Sequence, residues 1–264
     1  MNKNLAVAIT SALHAGKVIM QVYETAFNIE IKNDNSPLTE ADKQANNVIN
    51  SYLKQTEFPI ISEENKQTNY AERKKWNACW IVDPLDGTKE FIKRNGEFTV
   101  NIALVKNGIP QLGVIYVPVT KTIYIADVNK QTAYKTILKS HNSTVEEVIE
   151  KASVLQPKNA NTNLVQVVGS RSHMNAETEA FVETIKQKGK TVAVVSKGSS
   201  LKFCLVAEGK ADVYPRFAPT MEWDTAAGQA ICNAVGIAVI SQETNKPLLY
   251  NKENLLNPWF LVSK

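Results

Sequence analysis

Cysteine and histidine are both scarce: the 264-residue chain holds three of each. Cys79, Cys204 and Cys232 lie far apart, are odd in number and sit in apolar stretches. That usage fits buried thiols in a reducing compartment and argues against a disulfide framework. His14, His141 and His173 are isolated from one another, so no Cys/His zinc spacing exists. No Gly-x-Ser-x-Gly or other strong covalent-nucleophile motif is present. Charge of one sign is also lacking. The net charge is +4, with Lys and Arg scattered. Arg73-Lys74-Lys75 and Lys186-Gln187-Lys188-Gly189-Lys190 read as solvated surface. Without a basic stripe interleaved with aromatics, a nucleic-acid polymer is not an expected partner. The mild positive bias suits a small anionic ligand without establishing one.

No apolar run approaches transmembrane length in the sequence. Lys3 followed by Leu5-Ala6-Val7-Ala8-Ile9 faintly resembles a signal peptide. Thr10, Ser11, His14 and Lys17 interrupt it, and Leu5, Ile9, Leu13 and Met20 fall roughly on one helical face. A folded helix is expected there. The expected location is cytoplasmic, with membrane attachment at most peripheral, on the inner face.

What is present is an ordinary globular composition, 44% hydrophobic and 21% charged. The length is enough for a large core. No repeat, low-complexity tract or long linker divides the chain. The expectation is one compact unit over 1–264 with approximate halves 1–137 and 138–264. In the first half, Asn28 to Lys32 alternates like a strand and Asn33-Asp34-Asn35-Ser36-Pro37 marks a turn. Thr39 is a plausible N-cap for a helix with Ala41, Ala45, Val48, Ile49, Tyr52 and Leu53 on its apolar side. Strands follow at Phe58–Ile61 and Ala78–Val82. Closely spaced segments from Phe98 to Lys135 then suggest an antiparallel meander. Residues 138–163 are polar and the least readable, with a short helix near Val145–Lys151 as one option. From Leu164 the rhythm changes to strand and helix alternating, the pattern of an α/β half.

One stretch organises the rest: Trp80-Ile81-Val82-Asp83-Pro84-Leu85-Asp86-Gly87-Thr88. An apolar run ends in two carboxylates three positions apart. Pro84 is expected to break the strand, and Gly87 permits a tight turn or a close approach. Asp-x-x-Asp alone reads equally as a polar turn. Two anions held close repel, and a hard divalent cation is the usual remedy. Other acids occupy comparable places. Asp42 falls in the first turn of its helix, where stabilising the helix dipole is the bland alternative. Glu63, beside Glu64, follows the strand Phe58–Ile61, where surface solvation is the alternative. Asp224 falls at or near an N-cap in Glu222-Trp223-Asp224-Thr225-Ala226-Ala227-Gly228, where capping alone would account for it. The small residues Ala226, Ala227 and Gly228 are expected to let that helix end lie against the aspartate turn.

Four elements carry a resemblance: the full Asp83–Thr88 string, Leu38-Thr39-Glu40-Ala41-Asp42, Glu63-Glu64 and Trp223-Asp224-x-Ala226-Ala227-Gly228. Together they resemble the inositol monophosphatase-like family of metal-dependent phosphatases. The extension Lys89-Glu90-Phe91-Ile92 is similar to its CysQ branch, the 3'(2'),5'-bisphosphate nucleotidases. The resemblance implies an α/β, αβαβα sandwich with an antiparallel N-terminal sheet and a mixed C-terminal sheet. It implies that Glu63, Asp83, Asp86, Asp224 and the Leu85 carbonyl hold two or three Mg²⁺ ions. A water oriented by Glu63 and Thr88, with Asp42 close through a further ion, would attack phosphorus in line. Gly87 and Thr88 N–H groups would hold phosphate oxygens. His173, Ser199, Lys202 and Arg216 match nucleotide-contacting positions, although Lys202 and Arg216 alone could be solvated surface and His173 a structural residue. The implied substrate is adenosine 3',5'-bisphosphate or its sulfated analogue, in sulfur metabolism, with inhibition by Li⁺. The alternatives are an inositol monophosphatase, a fructose 1,6-bisphosphatase, or a non-catalytic nucleotide- or metal-binding regulator. Monomer and homodimer are both open.

Overall fold

The computed structural model describes residues 2–31, 37–157, 163–170 and 175–264. The expected turn at 33–36 and His173 lie outside the described residues. The chain opens with α1 (Lys3–Tyr23), then β1 (Ile29–Ile31) and β2 (Pro37–Thr39), which pair antiparallel. Next come α2 (Glu40–Leu53), β3 (Ile60–Ser62), α3 (Tyr70–Arg73), β4 (Ala78–Asp86) and α4 (Thr88–Ile92). A meander follows: β5 (Thr99–Lys106), β6 (Ile109–Val117), β7 (Thr122–Asp127) and β8 (Thr132–Ile137). After α5 (Val145–Glu150) and β9 (Ser153–Val154), the later segment runs through β10 (Leu164–Ser170), α6 (Ala176–Gln187) and β11 (Thr191–Lys197). It ends with α7 (Leu201–Ala207), β12 (Val213–Arg216), α8 (Glu222–Ala234), β13 (Ala238–Ser241) and β14 (Phe260–Ser263).

The elements stack in five layers. A seven-stranded sheet runs β3-β4-β5-β6-β7-β8-β9, antiparallel except where β3 lies parallel to β4. A five-stranded sheet runs β11-β10-β12-β14-β13 and is mixed. Helices α1 and α2 cover one face of the first sheet, with Ile9, Leu13, Ile49 and Leu53 packed on Trp80, Val100 and Ile102. Between the sheets lie α7 and α8, where Phe203, Ala227 and Ile231 meet Ile81, Ile115 and Phe260. Outside the second sheet, Val182 of α6 packs on Val165 and Val167. The alternation of apolar residues on each strand supplies both faces of each sheet. β9 extends the first sheet, so that layer continues past residue 137 to Val154.

Two sequence expectations are corrected. Pro84 does not end β4: pairing with β5 runs to Asp83–Asn101 and resumes at Asp86–Thr99, with a register shift between. The proline is accommodated in that irregularity, where its missing N–H costs no ladder bond. Helix α1, at 21 residues, is long and apolar enough to cross a membrane. Its apolar residues are nonetheless packed in the core beneath the first sheet. Asp224 falls near the N-cap as expected, as the third residue of α8 behind the cap Met221.

Candidate metal and phosphate site

The aspartate turn is built by local hydrogen bonding. The Leu85 N–H donates to Asp83 Oδ1 at 3.0 Å, closing an Asx-type turn. Gly87 has φ 94°, and a Cβ there would lie 3.2 Å from the Glu97 carbonyl oxygen and 3.3 Å from Ser199 Cβ. A non-glycine residue would be strained in conformation and crowded as well. Gly87 caps α4, whose first N–H groups lack intrahelical acceptors.

Neighbouring elements bring the other acids to this turn. β3 lies parallel to β4, and the Glu63 N–H donates to the Val82 carbonyl at 3.2 Å. Glu63 therefore follows its strand just as Asp83 follows Val82. An amide network fixes this bend: Ser62 Oγ donates to Asn46 Oδ1 at 2.8 Å, and Asn46 Nδ2 to Asn65 Oδ1 at 3.0 Å. Asp42 is the third residue of α2 and only 2% exposed. Its Oδ2 accepts from Thr39 N and Thr39 Oγ1, both at 2.7 Å, while Oδ1 accepts from Thr88 Oγ1 at 3.2 Å. Asp224 repeats the arrangement: its Oδ2 accepts the Met221 N–H at 2.8 Å. Both aspartates thus use one oxygen to cap a helix. The start of α8 does meet the aspartate turn, since Asp224 shares a cavity with it, and the small residues also pack the helix elsewhere. A Cβ on Gly228 would lie 2.4 Å from the Phe203 ring, and the Ala227 carbonyl crowds Gly113. These two close approaches are to α7 and β6.

Asp86 is held from the far side. Its Oδ2 accepts from Ser200 N at 2.6 Å and Ser200 Oγ at 2.8 Å. Asn101 Nδ2 donates to Ser200 Oγ at 2.7 Å and lies 3.4 Å from Asp86 Oδ2. Sequence reasoning missed Ser200, Asn101 and Thr99, whose Oγ1 lies 3.5 Å from Asp86 Oδ2. A signal existed: Thr99 and Asn101 stand two apart in an otherwise apolar strand and are both buried.

Glu63, Asp83, Leu85, Asp86, Gly87, Thr88 and Asp224 line one cavity of about 380 Å³. Asp42 stands behind Thr88. Among the described residues, no three acidic, histidine or cysteine side chains are already drawn around one point. The carboxylates share the cavity instead, and their electrostatics show the strain. Burial, then Glu63, Asp86, Asp224 and Asp42, holds the Asp83 carboxyl well above its usual range. Burial, then Asp86 and Glu63, pushes Asp224 up to about 8. Crowded carboxylates plus a backbone carbonyl are a hard oxygen donor set, and a divalent cation is the natural counter-charge. The residues fit such an ion.

A second cavity shares Asp86, Gly87, Lys89, Glu90 and Asp224 with the first, and is also lined by Ser199, Lys202, Tyr214 and Arg216. Lys202 is 6% exposed. Its Nζ donates to the Ser199 carbonyl at 2.6 Å and lies 5.6 Å from the Tyr214 ring centre. Burial lowers its pKa to about 8, with Arg216 adding to the effect while Asp86, Glu90 and Asp224 oppose it. Lys202 is therefore not the solvated residue that was the alternative. Arg216 donates to the Pro219 carbonyl at 3.1 Å. Arg216 Nε and Ser199 Oγ are buried without a hydrogen-bond partner among the described residues. Such orphaned groups in a cavity wall are costly unless a ligand completes them.

The inositol monophosphatase family profile matches residues 1–259. A "3'(2'),5'-bisphosphate nucleotidase CysQ" of Escherichia coli O157:H7 is 46% identical over 257 residues, covering 96% of each chain. The protein of the same description from Haemophilus influenzae is 34% identical, over 95% of this chain and 89% of the relative. A crystal structure of CysQ from Bacteroides thetaiotaomicron, described as a bacterial member of the inositol monophosphatase family, superposes with a TM-score of 0.88 at 51% identity. That match covers 100% of this chain and 97% of the other. An inositol monophosphatase from Anabaena shares the fold alone, with a TM-score of 0.67 at 21% identity over 98% and 89% of the two chains. With its five layers, its acid-lined turn and these matches along nearly its whole length, the chain belongs to the inositol monophosphatase family.

Proposed function

We propose that this chain is a Mg²⁺-dependent 3'(2'),5'-bisphosphate nucleotidase that cleaves the 3'-phosphate of adenosine 3',5'-bisphosphate, giving AMP and phosphate. One observation carries the reading: a carboxylate-lined cavity and a cation-lined cavity share a wall at Asp86 and Asp224. The first suits the phosphate that is cleaved. The second suits a phosphate that is kept, since Lys202 and Arg216 offer cationic donors there. The similarity to CysQ nucleotidases over nearly the full length supports the same substrate class.

Glu63, Asp83, Asp86, Asp224 and the Leu85 carbonyl would hold the Mg²⁺, two or three ions in this reading. Bound Mg²⁺ supplies neutralisation of the developing charge on the phosphoryl and leaving oxygens. The chain's own residues do the rest. Thr88 has a single hydroxyl hydrogen, and the shorter of its two contacts is to Asp42. With that hydrogen donated, its lone pairs are left to accept a proton from a water in the cavity. Asp42 then accepts the Thr88 proton, so a buried carboxylate ends the relay. Glu63 lines the same cavity and orients that water from the other side. The Gly87 and Thr88 N–H groups receive phosphate oxygens. Li⁺ competes at a Mg²⁺ position in this account. A cytoplasmic setting matches the three free cysteines; peripheral membrane contact and a monomer or homodimer remain part of the proposal.

A substrate panel tests it. Phosphate release should be fastest from adenosine 3',5'-bisphosphate or its sulfated analogue and should vanish with chelator. Faster turnover of inositol 1-phosphate would defeat the substrate assignment.

A further inference from the structure

The segment 197–200 lines the second cavity at Gly198 and Ser199, bonds the shared wall through Ser200, and is pinned by a residue that lines neither cavity. Glu97 precedes β5 and is only 8% exposed. Its Oε2 accepts the Gly198 N–H at 2.9 Å and its Oε1 accepts from Lys197 Nζ at 3.0 Å. Its backbone carbonyl crowds Gly87 of the aspartate turn, as the hypothetical Cβ contact of 3.2 Å shows. The glutamate therefore joins the turn to the loop. What the loop then does is specific. Ser199 is held at φ 43°, and its carbonyl accepts from Lys202. Ser200 gives both its N–H and its hydroxyl to Asp86 Oδ2, and its Oγ lies 3.0 Å from the Asp224 carbonyl.

We infer that Glu97 is a positioning residue that sets the metal-side carboxylate Asp86 and the ligand-side Lys202 in register through the 197–200 loop. The inference rests on the nucleotidase reading for its substrate arm, but not for its metal arm. A non-glycine residue at 87 or 198 would spoil the same junction. A Cβ on Gly198 would meet the Glu97 carbonyl at 2.9 Å and Glu90 Cγ at 2.8 Å. A partner fixing a metal ligand from behind is generally felt in metal affinity. Glu97 differs in acting on the second cavity as well.

The test uses the full chain and two readouts. One is the Mg²⁺ concentration that gives half of the metal-dependent rise in Tm, without substrate. The other is the split of KM and kcat for adenosine 3',5'-bisphosphate at saturating Mg²⁺. Glu97→Ala should raise both the Mg²⁺ half-point and KM by about 10–100-fold, with kcat far less affected. Glu97→Gln should recover much of this, because its carbonyl oxygen still accepts the Gly198 N–H. Gly198→Ala displaces the loop while leaving Glu97 in place and should reproduce the joint loss. Wild-type Mg²⁺ affinity and KM in either folded variant overturns the proposal. Failure of both to fold also overturns it, because Glu97 would then support the core at large. If the wild-type chain does not hydrolyse the nucleotide, the functional reading falls while the Mg²⁺ arm still decides the role of Glu97.

Discussion

Thr88 hands its hydroxyl hydrogen to Asp42 across 3.2 Å, tying the aspartate turn to the first turn of α2. Asp42 is already fixed by two bonds from Thr39, so the pair is preorganised before any ligand arrives. Thr88→Ala and Asp42→Asn should each lower kcat by about 10²–10⁴-fold with little change in KM. Thr88→Ser should retain most of the activity. Steady-state kinetics at saturating Mg²⁺ check this, and an unchanged kcat in Thr88→Ala would remove the relay.

The raised carboxyls of Asp83 and Asp224 make the metal-free protein sensitive to pH. Their folded pKa values exceed the unfolded ones, so the folded state holds more protons in that window. Stability in chelator should be highest in mild acid and should fall as pH rises from about 4 towards 8. Mg²⁺ should flatten this dependence. Thermal melts across pH, with and without Mg²⁺, read the result directly.

Asp224→Asn keeps an oxygen for the Met221 N–H but removes a buried charge among like charges. In chelator the variant should be more stable than the parent by about 1–3 kcal/mol, and its Mg²⁺-dependent rise in Tm should shrink or vanish. Turnover should be lost. Asp83→Asn should behave alike. A variant melting at the parent's temperature in chelator would show that these carboxylates do not strain one another.

Lys202 titrates near pH 8, lowered mainly by burial. As an ammonium it can hold the phosphate that stays on the substrate, so kcat/KM should decline above about pH 8 as the proton leaves. Lys202→Ala should raise KM for the bisphosphate and leave monophosphates less affected. Parallel pH profiles for the two substrate types would distinguish this from a general alkaline loss.

Gly228 and Gly113 set the spacing of α8 against its neighbours. Alanine at either would intrude on the Phe203 ring or the Ala227 carbonyl. Each substitution should cost about 1–3 kcal/mol through overpacking, seen as a lower denaturant midpoint.

The acids were legible because each follows a recognisable boundary. Glu63 follows the end of β3, Asp83 stands where the apolar run of β4 stops and Asp86 where that strand ends, and Asp42 and Asp224 sit where a helix begins. Those signals are local and survive in one dimension. The supports were not legible for the opposite reason. Ser200 meets Asp86 across 114 positions of sequence, and Glu97 meets Gly198 across 101. Nothing in the composition of either segment reveals the pairing. Pro84 misled because its usual effect on a strand was absorbed by a register shift with β5, a property of two strands together. β14 was unassigned, although Phe260-Leu261-Val262 is apolar, because its antiparallel place between β12 and β13 follows from the whole sheet. Lys202 and Arg216 could be read as either solvated or enclosed until packing decided between them.

The wall common to both cavities has a thermodynamic consequence. Asp86 and Asp224 line both cavities, the one proposed for the cation and the one proposed for the nucleotide. Cation and nucleotide are then heterotropic ligands, each obliged to change the other's affinity by one and the same factor. Neutralising the wall relieves repulsion of an incoming anion, so that factor favours joint occupancy, and an enzyme starved of magnesium would also release its nucleotide.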